Sequence, residues 1–246
     1  MTMLALGLYA GEGIRAQTSS HFYALEFAEN RGQWGDEFQY RAEIGVGAFF
    51  LHPDGFTVLR HDSADYVRAL HQIHGHDHDD AKQALESAAG IAFSMRSHAY
   101  RVRFEGGNPS AAAGAERPIQ TNISYFLGAD PGKWRSGLSS YGVVTYRDVY
   151  PNTDVRYQSE AGNLKYDIIV RPGADLSRIR LTYDGVDGLS VRQGQLVVQT
   201  STGITRELEP YAYQVRDGLK REVSCRYVVE GRTVRFEVKN YDPGVP

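Results

Sequence analysis

Tyr125–Leu189 reads YFLGADPGKWRSGLSSYGVVTYRDVYPNTDVRYQSEAGNLKYDIIVRPGADLSRIRLTYDGVDGL. Short alternating apolar runs in this stretch are cut at near-regular intervals by Gly, Asp, Asn and Pro. That is the pattern of antiparallel strands joined by tight turns. Leu164, Tyr166, Ile168 and Val170 occupy every second position and predict one inward face. Arg171-Pro172-Gly173-Ala174-Asp175 turns the chain, and Ile179, Leu181 and Tyr183 resume the alternation. The stretch carries no nucleophile motif, metal box or phosphate loop. It fixes the class as all-β and leaves the ligand open.

The same grammar extends in both directions. Downstream, Val191-Arg192 and Gln195-Leu196 flank Gln193-Gly194, and Tyr211, Tyr213 and Val215 run into Arg216-Asp217-Gly218. Val223 to Val229 turns at Glu230-Gly231 into Val234, Phe236 and Val238. Upstream, Ala48–Leu51 and Phe56–Leu59 flank His52-Pro53-Asp54-Gly55. Pro presets φ there, Asp caps locally and Gly accepts a positive φ, so a hairpin is predicted. Phe38, Tyr40 and Ala42 alternate, as do Tyr100, Val102 and Phe104. The expected architecture is a large antiparallel β-sandwich built from successive hairpins. Gly106–Pro118 (GGNPSAAAGAERP) reads as a surface loop or a boundary between two packed β subdomains. Asp62 to Gly90 breaks the strand pattern, and its AKQALESAA predicts one short helical insertion. No repeat of fixed period is present.

The 246 residues suffice for a full core. A net charge of −3 offers no basic face for nucleic acid. One cysteine, Cys225, excludes an intrachain disulfide, and its place in the alternating set Val223, Cys225, Tyr227, Val229 reads as a small buried residue. The apolar run Met3–Ala10 followed by Ala16-Gln17 reads as the end of a secretory signal, although a basic n-region is missing. Residues 1–21 are therefore expected to be a leader and 22–246 the β module. No run approaches the ~20 apolar residues of a transmembrane helix.

At these residues the chain resembles a known family. The blocks are FAENRGQW (Phe27–Trp34), FLHPDGFT (Phe50–Thr57), HAYRVRFEGGNP (His98–Pro109), SYFLGADPGKW (Ser124–Trp134), YRDVYPNTDVRY (Tyr146–Tyr157), LKYDIIVRPGAD (Leu164–Asp175), IRLTYDGVDGL (Ile179–Leu189) and PYAYQ (Pro210–Gln214). In order and spacing they resemble the N-terminal domain of secreted bacterial proteins that carry seven-bladed β-propeller (SBBP) repeats, or of gliding-motility and type IX secretion-associated surface proteins. The resemblance implies an exported β domain preceding adhesive or propeller modules, with no known catalytic residues to carry over. Such domains continue into further apolar residues and a next module. This chain stops at Tyr241-Asp242-Pro243-Gly244-Val245-Pro246, so a longer protein with downstream modules is expected.

Local chemistry is sparse. His71, His74, His76 and His78 stand in HQIHGHDHDD: alternate positions would gather three of them on a strand, and His71, His74 and His78 on a helix, for Zn²⁺, Ni²⁺ or Cu²⁺. A polar insertion explains the same segment. Asp148, Asp154, Asp167, Asp184 and Asp187 sit at strand ends or turns, where Asp serves local hydrogen bonds. Asp184-Gly185-Val186-Asp187-Gly188 offers oxygens for Ca²⁺ but lacks an EF-hand loop, and a double turn explains it more simply. Trp34 and Trp134 either stack on a sugar ring or anchor loops to the core. The expectation is a non-catalytic, exported or cell-surface module, structural or adhesive, with no cofactor and no metal site. Its expected partner is a glycan or a protein. The alternative is a carbohydrate-active enzyme on a sheet face, recognisable by two converging carboxylates beside an exposed Trp or Tyr.

Overall fold

The computed structural model describes residues 2–9, 25–74, 94–160 and 163–243. Its strands are β1 (Thr2–Tyr9), β2 (Phe27–Glu29), β3 (Tyr40–Glu43), β4 (Gly47–His52) and β5 (Gly55–His61). Helix α1 (Ser63–His74) follows, then β6 (Ser97–Phe104), β7 (Ala112–Tyr125), β8 (Arg135–Tyr150), β9 (Thr153–Glu160) and β10 (Asn163–Val170). The last third holds β11 (Arg180–Asp184), β12 (Gly188–Arg192), β13 (Gln195–Thr200), β14 (Gly203–Glu207), β15 (Tyr211–Arg216), β16 (Leu219–Glu230) and β17 (Thr233–Lys239).

Among the described residues every pairing is antiparallel and one short α-helix is present, so the expected all-β, sandwich-like class holds. Strands consecutive in the chain account for most neighbours: β3–β4–β5–β6, with α1 between β5 and β6, then β7–β8–β9–β10, β12–β13–β14 and β15–β16–β17. Long-range ladders join them. β6 pairs with β11 from Phe104↔Leu181 to Arg101↔Asp184, β11 with β17, and β2 with Ser140 and Tyr141 of β8. β1 bridges β10 to β15, and the ladder closes into a circuit.

The circuit closes on one hydrophobic cluster. Phe27, Phe49, Leu51, Phe56, Tyr100 and Val102 come from the first half, and Tyr146, Tyr157, Tyr166, Ile168, Tyr183 and Val234 from the second. Tyr157 meets Phe56 at 6.1 Å and Tyr146 at 6.1 Å, both edge to face. Residues 106–118, expected as a loop or boundary, are a turn followed by the first half of β7, which pairs with β8 along its length. Thr2–Tyr9, expected within a leader, is a paired strand. The described helix lies at the start of the Asp62–Gly90 segment that breaks the strand pattern. It starts at Ser63 because Asp62 Oδ1 accepts from the N–H groups of Ala64 and Asp65, both at 3.0 Å. Arg96 donates to the buried Asp65 carboxylate through Nε at 2.8 Å and backbone N–H at 3.1 Å, pinning the first turn to the strand region. The AKQALESAA stretch lies outside the described residues.

Candidate functional site

Two loops build an aromatic corner. In the β2–β3 loop, Asn30 Nδ2 donates to the carbonyls of Gly35 (2.6 Å) and Phe38 (2.9 Å). Gln33 Nε2 donates to Glu29 O, and Gln33 Oε1 accepts from Arg31 N–H, each at 2.7 Å. The half-buried Asn30 and buried Gln33 amides thus replace secondary structure in fixing the loop. They present Trp34 half-buried, edge-on to Tyr125 at 4.6 Å, with the Arg41 guanidinium 5.4 Å from its ring.

The β7–β8 loop supplies the outer half. Asp130 caps a single 3-10 turn by accepting from Gly132 N–H at 2.9 Å, and Trp134 Nε1 donates to Gly128 O at 3.2 Å. Phe126 and Trp134 meet at 5.9 Å, nearly perpendicular. Phe126, Leu127 and Trp134 stay 63, 46 and 42% exposed, which marks an apolar patch rather than core anchors. Arg135 fastens the two loops together: its Nε donates to Arg31 O at 2.9 Å, and its Nη1 to Gly132 O at 2.7 Å and Trp134 O at 2.9 Å. The two tryptophans therefore divide. Trp34 anchors, and Trp134 faces outward.

A second surface is a cleft of about 420 Å³ lined by Leu176, Arg180, Glu230, Arg235, Glu237 and Tyr241, among others. Glu230 accepts from Arg235 at 2.8 Å and Arg180 at 3.4 Å, and Glu237 pairs with Arg226 and with Lys239 at 3.5 Å. The Arg235 hydrogen bond holds the Glu230 carboxyl below its usual range, and the Arg226 hydrogen bond does the same for Glu237. Two carboxylates beside a part-exposed tyrosine meet the outline of the enzymatic alternative. Glycoside cleavage needs one of the pair to hold a proton at working pH, and both of these are pushed the other way.

The carboxyls that are pushed upward lie in the interior. Glu207 is fully buried between the hydroxyls of Tyr183 (2.6 Å) and Tyr166 (2.9 Å), both donating to it. Burial raises its pKa to about 7, against the lowering effect of the two phenols. Asp167 is likewise buried and raised, chiefly by desolvation, with Gln158 Nε2 donating to it at 2.9 Å.

Of the singled-out acids, Asp148 and Asp154 converge on Arg171, and the Asp148 N–H donates to Asp154 Oδ1 at 2.8 Å. Asp184 pairs instead with Arg103 at 2.6 Å, and the Asp187 N–H donates to Gln199 O at 3.0 Å. His71 is exposed on α1, His74 ends that helix, and His76 and His78 lie outside the described residues. Among the described residues no group of His, Cys, Asp and Glu is arranged to hold a metal ion. Cys225 is buried, and burial pushes its thiol up to about 12. No helix among the described residues is long and apolar enough to cross a membrane.

Sequence reasoning passed over Phe126 and Leu127. Their signal was two adjacent large apolar residues at a strand end, which cannot both face one core. Glu207 gave no signal, because its neighbours come from distant strands.

These features define a class: an all-β antiparallel module with an aromatic corner and an ion-paired cleft, compatible with a structural role. Residues 27–246 match the family described as Domain of unknown function (DUF7948), and the chain belongs to that family. The match begins at Phe27, the first residue of the FAENRGQW block. No curated protein and no solved structure matches the chain.

Proposed function

We propose that the chain is a non-catalytic, exported or cell-surface β module that presents downstream modules and binds a glycan or protein at its aromatic corner. The observation that carries this reading is the exposed Phe126–Leu127–Trp134 patch, held rigid by Arg135 and Asp130. A side chain left outward on a fastened loop is preorganised for contact, because little entropy remains to be lost on binding. Trp is favoured at such contacts, since its ring stacks on a sugar or a peptide with few rotamers to fix. The resemblance to domains that precede propeller or gliding-motility modules supports an exported setting.

Titration of the purified chain against an oligosaccharide and host-surface protein panel tests it. Trp134→Ala should weaken the best ligand by about tenfold or more, as expected for loss of an aromatic anchor, with the melting temperature unchanged. Equal binding by the variant would remove the corner from the account. The Glu230–Glu237 cleft favours the enzymatic reading in outline. Hydrolysis of a glycoside that disappears in Glu230→Gln would make that the better description.

A further inference from the structure

β1 lies between two ladders. β10 pairs with it from Thr2↔Val170 to Leu8↔Leu164. On its far side Thr2–Ala5 pair with β15, from Thr2↔Gln214 to Ala5↔Tyr211, and Leu8 and Tyr9 pair with Glu207 and Arg206 of β14. The other edges of β10, β14 and β15 are already held by β9, β13 and β16. Take β1 away and β10 and β15 face each other across a one-strand gap. The gap would expose ladder N–H and C=O groups directly over the buried Leu164, Tyr166, Ile168 and Ala212. Unpaired backbone groups next to a core are costly, and an open edge recruits another strand.

Register specifies what the gap accepts. Leu4, Leu6 and Leu8 stand opposite Ile168, Tyr166 and Leu164, while Ala5 and Gly7 stand opposite Asp167 and Lys165. Leu164, Tyr166 and Ile168 of β10 are buried at alternate positions, so any strand added to this edge meets the core at the positions opposite them. The groove therefore takes large apolar residues at alternate positions with small residues between. Charge at the large positions would be buried beside Tyr166 and Glu207, and proline would break the ladder on both sides.

We propose that the groove between β10 and β14–β15 is a strand-acceptor site, held here by Thr2–Tyr9. In the exported protein it binds an extended, uncharged segment of a partner polypeptide with large apolar residues at alternate positions. This rests on the exported reading given above, in which the leader carrying Thr2–Tyr9 is removed. Main-chain hydrogen bonds to β10 and β15 supply the affinity, and the alternate pockets supply the selectivity.

The test uses the full chain carrying Leu4→Pro and Leu6→Pro, which vacates the groove without shortening the protein. The probe is a synthetic TMLALGLY peptide with two appended lysines for solubility. The variant should melt below the parent, bind one peptide by native mass spectrometry, and regain about 5–10 °C at saturating peptide. A peptide with Ser at the three alternate leucine positions should do neither. A variant that melts like the parent, or that binds both peptides equally, overturns the proposal. Should the double variant fail to fold, the milder single variant Leu6→Pro should bind the same peptide, and failure to bind it overturns the proposal as well. Mass spectrometry of the chain's N-terminus from its native host is the separate arm. An intact Met1 alongside peptide binding sinks leader removal and keeps the groove. A new N-terminus near Gln17 without peptide binding does the reverse.

Discussion

Glu207 contacts phenols rather than a cation, so its charge opposes folding. The other titratable groups that sense its charge, Tyr100 and Tyr227, are also phenols held far above their usual range by burial. With its pKa raised from 4.5 to about 7, the folded chain holds the proton more tightly than the unfolded chain does. The stability linked to Glu207 is then greatest below about pH 4.5, falls as pH rises toward 7, and levels off above it. Linkage puts the full change at about 3 kcal/mol. The carboxylates held low by partners, Asp65, Asp175, Glu230 and Glu237, work with the opposite sign and lose their contribution as pH falls through the ordinary carboxylate range. Glu207→Gln should flatten the melting temperature between pH 5 and 7 and raise it at pH 7.5, read by calorimetry across buffers. A parent protein already flat over that range would mean that Glu207 is not charged in the core.

At the level of elements, the β4–β5 hairpin shows how much of a turn is local. Gly55 was read from Pro-Asp-Gly as a positive-φ position, and its φ is +152°. A second constraint comes from β6: a Cβ on Gly55 would sit 2.0 Å from the Val102 carbonyl oxygen. Gly55→Ala should therefore cost about 2–4 kcal/mol in urea unfolding. Gly218→Ala, strained in φ but facing open space, should cost only about 1 kcal/mol. Equal losses would show that backbone approach contributes nothing at Gly55. The same contrast explains what the sequence disclosed. Gln193-Gly194 and Asp217-Gly218 adopt positive φ at both positions, as the hairpins between β12 and β13 and between β15 and β16 require, and adjacent residues decide that. The β6–β11 and β2–β8 ladders join segments far apart in the chain, and no local pattern encodes them. The helix capped by Asp62 carried no comparable compositional signal, because AKQALESAA holds the helix-favouring residues of that segment. The aromatic corner was half legible. Both tryptophans stood out, while Arg135, which binds the two loops together through carbonyl oxygens, resembles any surface arginine in the sequence.

Across the whole molecule, one core draws side chains from before and after residues 106–118, and ladders cross between the halves. Such an arrangement is expected to open as a unit. Cys225 turns that into something measurable. Its sulfur is buried on β16 opposite Val238, and its thiol is pushed up to about 12, so almost no thiolate forms in the folded chain. Unfolding returns it to an ordinary thiol. The lone thiol is thus a clock for global opening. Alkylation by iodoacetamide at pH 8 should run on the order of 10³-fold slower than in denaturant, and its urea dependence should follow the loss of strand signal by circular dichroism. Rapid modification without denaturant would instead time a local parting of β16 from β17. Either way a single added mass, at one atom, counts how often the molecule comes apart.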